Sequence, residues 1–247
     1  MTDETLYCDP ELAQLYDWDN PWPDDFDFFA SLAAGASRVL DLGCGTGIFS
    51  AELAVRGHEV TGADPAAAML QVARHRHGGG MVRWIEADAR SLELGESFDM
   101  VLMTGHAFQT LLSRDDRRAL LRTIARHLAP GGRFFFDSRN PEAREWEQWT
   151  PEASRAVLPH PQFGSIERWN DANCNPFTGI VTYDTFYRFE SGRLLSARSQ
   201  IAFAPQIEIG ELIAAAGLIV DRWIGDCVGG EFSTESPEII PLGSRKA

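Results

Sequence analysis

A glycine-rich turn directly after a short apolar segment restricts the possible folds of this chain more than any other feature. Residues 39–42 (VLDL) predict a buried strand, and residues 43–47 (GCGTG) place three alternate glycines at its end. Glycine adopts positive φ angles at little cost and lets a ligand approach the main chain closely. A strand, a glycine turn and a helix in this order are typical of α/β folds that bind a ligand at the helix N-terminus. The turn therefore predicts a ligand site at the end of the first strand of a sheet.

Segments with strand and helix periodicity alternate along residues 36–138. The segments that predict strands are at residues 38–42, 58–64, 81–88, 98–105 and 133–138. Alternating strands and helices indicate an α/β fold with a doubly wound parallel sheet. Helical spacing returns at residues 207–217, and two further strands are predicted after it. We expect the sheet to be mostly parallel, with an antiparallel closing strand.

Two segments lie outside this alternation. Residues 139–204 contain two alternating runs separated by the turn residues 190–192, which predicts a small antiparallel β insertion, and the residues before its hairpin are expected to be irregular. Prolines interrupt residues 1–35, where we expect a short helix at Glu11–Tyr16 and another that begins near Phe26. The chain is thus predicted to be one domain. Residues 1–35 form a helical cover, residues 36–138 and 205–247 form the core, and residues 139–204 form a β-rich insertion over the substrate.

Composition excludes several classes of function. The formal net charge of −14 disfavours binding to nucleic acid, because an acidic protein repels phosphate backbones. The first ten residues lack the features of a secretory signal, and no uncharged apolar run approaches the ~20 residues of a membrane helix. The four cysteines are scattered and suit a reducing compartment rather than a zinc site. We therefore expect a cytoplasmic protein, a monomer or homodimer, with no nucleic-acid partner, membrane contact or metal.

Two cofactor classes compete for the glycine turn. A dinucleotide fold uses G-x-G-x-x-G, but the third position of that pattern, counted from Gly43, is Ile48. In addition, Asp41 lies two residues before the first glycine, where a carboxylate would repel a pyrophosphate. A carboxylate at that position suits a ligand that carries a cation, such as S-adenosylmethionine with its ammonium and sulfonium groups.

The segment from Asp41 through Gly43, Gly45 and Gly47 resembles motif I of class I S-adenosylmethionine-dependent methyltransferases, here of the small-molecule type. Later segments match the family in order, including Pro130-Gly131-Gly132 before the fifth strand. The resemblance implies a Rossmann-like fold and S-adenosyl-L-methionine as the cofactor. It also implies individual contacts: Asp64 with the ribose hydroxyls, Met69, Asp88 and Ala89 with adenine, and Thr104 with the methionine moiety. Structural alternatives remain open, since Asp41 or Asp64 could cap a helix and Met69 could be a core residue.

The implied reaction is in-line transfer of a methyl group to N or O of a small organic acceptor. Such a displacement needs alignment and exclusion of water, and it needs a base only if the acceptor must lose a proton. His106, after the fourth strand, is the candidate catalytic residue, and Tyr16, Asp137 and Arg139 are candidate substrate contacts. The motifs of methyltransferases that act on DNA amines or cytosine C5 do not occur. Two alternatives remain: an NAD(P)-dependent Rossmann oxidoreductase, and a non-catalytic regulatory protein that binds S-adenosylmethionine.

Overall fold

The computed structural model describes residues 5–21 and 26–246 of the chain. Parts of the predicted N-terminal cover, residues 1–4 and 22–25, lie outside the described residues. The helices are α1 Thr5–Cys8, α2 Pro10–Asp19, α3 Phe26–Leu32, α4 Ile48–Val55, α5 Ala67–His75, α6 Arg114–His127, α7 Pro151–Ser154 and α8 Gln206–Ala215. Among these described helices, none is both long and apolar enough to cross a bilayer.

The central sheet carries the α/β fold that the sequence predicts. Its strands are β1 Arg38–Leu42, β2 Glu59–Asp64, β3 Arg83–Glu86, β4 Phe98–Met103, β5 Leu128–Phe136, β11 Leu218–Ile224 and β12 Glu238–Arg245, with the short β6 Ser138–Arg139 beside β12. The strand order is β11-β12-β5-β4-β1-β2-β3. Strands β1 to β5 are parallel, whereas β12 runs antiparallel to both β5 and β11. The doubly wound sheet and its antiparallel closing strand are therefore confirmed.

Each face of this sheet is covered by helices, which explains why its strands are apolar without alternation. On β5, Phe134 and Phe136 face one core cluster, which also contains residues of α6 and α8. Phe135, between them, faces the other cluster, which contains residues of α3 and α4. The strand order reverses at β1, which lies between β2 and β4. A reversal of this kind opens a crevice at the carboxyl ends of the strands, where ligands bind in open α/β sheets.

A second, antiparallel sheet occupies much of the insertion. It has the order β10-β9-β8-β7, formed by β7 Ala156–His160, β8 Gly164–Asn175, β9 Ile180–Phe189 and β10 Leu194–Ala202. The predicted hairpin corresponds to β9 and β10. The expectation that the preceding residues are irregular is wrong, because β7 and β8 lie there. Both strands are hard to recognise: Pro159 interrupts β7 at the sheet edge, and most of β8 is polar because only Ile166 and Trp169 are buried.

The N-terminal helices extend beyond the predicted short helix. Helix α2 begins at Pro10 because Asp9 caps it: Oδ1 of Asp9 accepts hydrogen bonds from the backbone N–H groups of Glu11 and Leu12. Its Leu12 and Leu15 are buried with residues of β8, β9 and β10, in a cluster that includes Ile166, Tyr187 and Phe189. Helix α2 therefore packs on the second sheet, and this contact brings the N-terminal segment and the insertion together.

Candidate functional site

The three glycines of the turn after β1 all have positive φ angles, but their surroundings differ. At Gly47 an added Cβ would lie 2.3 Å from the ring of Trp84, and at Gly43 it would lie 3.0 Å from Cβ of Ala107. At Gly45, with φ of 53°, an added Cβ would meet nothing within 4 Å. Gly43 and Gly47 are thus required for close packing, whereas Gly45 faces open space that a ligand can fill.

Asp64, at the end of β2, connects this turn to the next helix. Its Oδ2 accepts a hydrogen bond of 2.8 Å from the backbone N–H of Gly45, and its Oδ1 accepts one of 2.8 Å from the N–H of Ala66. Burial raises the pKa of Asp64, which is 8% exposed. The carboxylate therefore orders the turn and the start of α5 at once. This position beside Gly45 is compatible with the ribose contact that the resemblance implies.

Asp41 is the clearest sign of a cationic ligand. It is 1% exposed, and its Oδ2 accepts a hydrogen bond of 2.6 Å from the hydroxyl of Ser50. Its Oδ1 is buried and receives no hydrogen bond from any residue that the structure describes. Burial raises the pKa of Asp41 to about 7, and the carboxylates of Asp64 and Asp137 act in the same direction. A buried carboxylate oxygen without a donor is costly, so the ammonium of S-adenosylmethionine fits this site.

The residues expected around adenine lie in different surroundings. Met69 is 1% exposed and packs with Ala13 of α2 and with Tyr16, and Ala89 is buried in the core. Asp88 is bound through both oxygens by the guanidinium of Arg90, which also pairs with Asp116 at 2.7 Å. The hydrogen bond from Arg90 lowers the pKa of Asp88. Asp88 is thus an anion in a surface network, and any contact with adenine would share it with Arg90.

Helix α2 is fastened to the glycine turn by Asp17. One carboxylate oxygen of Asp17 accepts a hydrogen bond from the hydroxyl of Thr46, within the turn, and the other pairs with the guanidinium of Arg76. Arg76 also donates from Nε to the carbonyl oxygen of Thr46, over 2.7 Å. Neither Asp17 nor Thr46 was predicted as a site residue, although Asp17 adjoins the predicted Tyr16.

Tyr16 lies between the core and the second sheet. Burial raises its pKa, the nearby Tyr183, Asp17 and Asp64 act in the same direction, and the guanidinium of Arg139 opposes them. Tyr183 is on β9, so a side chain of the insertion reaches the surroundings of Tyr16. The structure thus brings Tyr16 close to Asp64 and to the predicted substrate contact Arg139. Tyr183 was not predicted, because the sequence gave no register for the hairpin.

The candidate catalytic residue His106 lies beside two acidic side chains. It follows the buried Thr104 at the end of β4 and has a φ of 59°, which is unusual for a residue other than glycine. Its backbone N–H donates to Oδ1 of Asp137 over 3.0 Å. Its Nε2 lies 3.0 Å from Oε1 of Glu238 and 3.9 Å from Oδ2 of Asp137. Burial raises the pKa of Asp137, which is 3% exposed.

Arg139 is held by its neighbours rather than extended into solvent. Its Nε pairs with Glu145 at 2.9 Å, its Nη1 donates to Oε1 of Gln109 over 3.1 Å, and its guanidinium lies over the ring of Trp149. On β6 it is directly opposite Glu238 of β12. Glu238 was missed at the sequence level, because nothing within the segment EIIPLG distinguishes it from an ordinary residue at the start of a strand.

Comparisons with known proteins show what this chain is similar to. A family model described as a methyltransferase domain matches residues 39–132. A cypemycin N-terminal methyltransferase from a Streptomyces species is 29% identical over 84% of this chain and 83% of its own length. The chain spans about half the length of other curated relatives, with 49% covered at identities of 34% and 40%.

Two solved structures share the fold over nearly the whole chain. The CcbJ methyltransferase from Streptomyces caelestis matches with a TM-score of 0.81 and 23% identity, over 99% of this chain and 100% of its own. An S-adenosylmethionine-dependent methyltransferase from Clostridium acetobutylicum matches with a TM-score of 0.78 and 15% identity, over 97% of this chain and 100% of its own. Both similarities include the central sheet and the insertion.

Proposed function

We propose that the chain is an S-adenosylmethionine-dependent methyltransferase, in agreement with the methyltransferase domain model and the methyltransferase relative that it matches, and that it methylates a nitrogen or oxygen atom of a small organic acceptor by in-line displacement. Two features together carry the proposal: the open space beside Gly45, and the buried oxygen of Asp41 that receives no hydrogen bond from the described residues. When bound, the cofactor supplies an electrophilic methyl group on a sulfonium, a leaving group that needs no acid from the protein. Asp41 and Asp64 would hold its cationic and ribose portions.

The second part of the proposal concerns the residues around the acceptor. His106, at the end of β4, would accept a proton from the acceptor, and Tyr16, Asp137 and Arg139 would position it. The carboxylates of Asp137 and Glu238 beside His106 favour an acceptor that enters as an ammonium. A nitrogen acceptor also agrees with the printed name of the cypemycin N-terminal methyltransferase. We therefore favour nitrogen over oxygen.

The segments outside the central sheet complete the proposed site. Residues 1–35 would cover the cofactor through α2, and residues 139–204 would form a lid over the acceptor, with both excluding water from the reaction. The contacts of Asp17 with Thr46 and Arg76 support the first assignment. The approach of Tyr183 to Tyr16 supports the second. We thus propose a chain of three parts: a cover in residues 1–35, a core, and a lid in residues 139–204.

The first experiment measures cofactor binding. S-Adenosylmethionine and S-adenosylhomocysteine should raise the melting temperature, whereas NAD and NADP should not. Asp64→Ala should weaken S-adenosylhomocysteine binding by roughly 1–3 kcal/mol in calorimetry, since it removes charge-assisted hydrogen bonds. Glu235→Ala is the control, because Glu235 is an exposed carboxylate. Unchanged affinity in a folded Asp64→Ala variant would reject the assignment of this residue.

The second experiment decides between an enzyme and a regulatory protein. A panel of small primary and secondary amines and of hydroxylated compounds is incubated with S-adenosylmethionine, and formation of S-adenosylhomocysteine above the acceptor-free rate is measured. We expect turnover with members of the amine set. Tight cofactor binding with no turnover on either set would favour the non-catalytic alternative.

A further inference from the structure

His106 holds a backbone conformation that has to be maintained by its surroundings. A φ of 59° is unfavourable for a residue with a side chain, and such residues concentrate at functional sites. The hydrogen bond from its N–H to Oδ1 of Asp137 fixes the main chain at this point. The direction of the imidazole ring then depends on what its nitrogen atoms contact.

Glu238 is placed to fix that ring. It is 9% exposed at the start of β12, and its own N–H donates to the carbonyl oxygen of Gly225 over 3.0 Å, so the sheet holds its main chain. Its Oε1 lies 3.0 Å from Nε2 of His106, although the two residues are 132 positions apart. Among the described residues, the charged groups near this pair include Asp137, Arg139 opposite Glu238 in register, and Asp41, which interacts with Asp137.

We infer that Glu238 is a positioning residue that holds the Nε2–H of a neutral His106, so that the basic lone pair of the ring is on Nδ1. This inference rests on the proposed function, in which His106 removes the acceptor's proton. In that step the N–H or O–H bond of the acceptor breaks, its electron pair stays on the acceptor atom, and the proton bonds to Nδ1. Glu238 and Asp137 then balance the charge of the imidazolium. A hydrogen bond that fixes the tautomer of a catalytic histidine is a known use of a buried carboxylate.

The test follows the titration of the histidine ring by NMR, which needs neither cofactor nor acceptor. The His106 signal is assigned by its loss in His106→Gln. In Glu238→Gln the anionic partner is removed with little change of shape, so the midpoint of the His106 titration should fall by about one pH unit or more. Glu238→Asp should restore part of the difference, and Glu235→Gln, nearby on the exposed surface, should change nothing. An unchanged midpoint in Glu238→Gln would overturn the inference.

Kinetics with an amine found active in the panel gives the second readout. In Glu238→Gln, kcat should fall by about tenfold or more and the acidic limb of the kcat profile should move to lower pH, with unchanged affinity for S-adenosylhomocysteine. A rise in KM alone with an unmoved limb would overturn the positioning role, because it would indicate direct acceptor binding. If Glu238→Gln does not fold, the same measurements are made on Glu238→Asp, where a longer contact should still lower kcat. Because the titration is independent of turnover, failure to find an acceptor tests only the proposed function.

Discussion

Asp41 lowers the stability of the folded chain at neutral pH, at the position where we propose that the cofactor binds. Its carboxyl group is buried among the strand ends, with one oxygen bonded to Ser50 and the other without a donor in the described residues. Its pKa of about 7 in the folded chain is far above the value of 3.8 expected for an exposed aspartate. Between these two pH values the unfolded chain loses the proton and the folded chain keeps it. The free energy of unfolding therefore falls as the pH rises from about 4 to about 7.

Asp41→Asn should remove this loss of stability at high pH. The amide keeps an acceptor for Ser50 and carries no charge, so at about pH 8 the variant should be more stable than the wild type by roughly 2–4 kcal/mol. The difference should shrink as the pH falls through about 4, because below that pH Asp41 is protonated in both the folded and the unfolded chain. Urea denaturation across this range measures it. Cofactor affinity should fall by about tenfold, or ~1.4 kcal/mol, since the ammonium loses its anionic partner. A variant no more stable than the wild type at the higher pH would contradict this account of Asp41.

The glycine turn offers a matched pair of substitutions. Gly45 and Gly95 both have positive φ and open space where a Cβ would lie, but Gly95 is in the loop before β4, away from the site. Valine at either position should cost roughly 1–2 kcal/mol of stability through backbone strain. Only Gly45→Val should also abolish cofactor binding, because its side chain fills the space over the turn. Calorimetry and thermal melting measure both effects. Equal cofactor affinities of the two variants would show that the turn is not the binding site.

Sequence reasoning can group those candidate site residues that a local pattern marks. Asp41 and the glycines lie within seven residues, and Asp64 ends the next strand, so strand, turn and helix signals place them together. Glu238 and Tyr183 carry no such signal. They reach the site only because β12 returns beside β6 and because β9 pairs in one particular register, and both are tertiary facts.

At the scale of elements, α2 lies between the core and the second sheet and contacts both. Toward the core it offers Asp17 to Thr46 and Arg76. Toward the second sheet its Trp18 donates from Nε1 to the carbonyl oxygen of Pro159, and its Asp19 pairs with Arg168 at 2.8 Å. The helix is thus held on both sides. Release from the core side alone would uncover the glycine turn.

Asp17→Asn tests this arrangement. The amide cannot neutralise Arg76, so the core side of α2 should loosen while the sheet side remains packed. We expect faster cofactor dissociation and an affinity lower by about tenfold, ~1.4 kcal/mol, with a small change in melting temperature. Glu11→Gln is the control, because Glu11 lies on the same helix and pairs with Arg193 in the turn between β9 and β10. Stopped-flow dissociation and hydrogen exchange of residues 10–19 measure the effect. Equal dissociation rates in the two variants would contradict the proposed cover.

The same contrast between local and distant signals applies to whole elements. The hairpin β9–β10 could be predicted because two alternating runs flank a short turn. Strands β7 and β8 could not, since β8 is stabilised by pairing with β9 and β7 by pairing with β8, and the exposed face of β8 permits polar residues. Helix α2 was predicted too short for a related reason: its last turn is held by contacts with the turn after β1 and with the second sheet rather than by its own sequence.

At the scale of the whole molecule, α2 packs against both the second sheet and the core, and so connects the two sheets. Leu12 and Leu15 are buried against the second sheet, while Ala13 of the same helix is buried against Met69 of α5. Tyr187 of β9 donates from its hydroxyl to Asp19 over 2.8 Å, and burial raises the pKa of that carboxyl group. The insertion therefore supports α2, the element that we propose to cover the cofactor. Residues 139–204 are therefore expected to influence cofactor binding as well as the acceptor.

Removal of the second sheet should therefore impair both halves of the reaction. From the sequence alone, a short Gly/Ser linker in place of residues 139–204 is expected to spare cofactor binding and to destroy acceptor turnover. The packing of α2 changes that expectation, because the deletion exposes Leu12 and Leu15 and removes the partners of Asp19. We expect cofactor affinity, measured by calorimetry, to fall by at least about tenfold together with turnover.

A milder variant separates this coupling from a general loss of folding. Tyr187→Phe removes only the hydroxyl that Asp19 accepts, which should cost about 1–3 kcal/mol of stability since a buried carboxylate loses a donor. Because the loss falls on the contact between α2 and the second sheet, cofactor dissociation should become faster although Tyr187 belongs to the insertion. Phe177→Ser is the matched control, as Phe177 is 96% exposed at the tip of the same sheet. If Tyr187→Phe lowers the melting temperature but leaves cofactor kinetics identical to Phe177→Ser, the two sheets act independently and the insertion serves the acceptor alone.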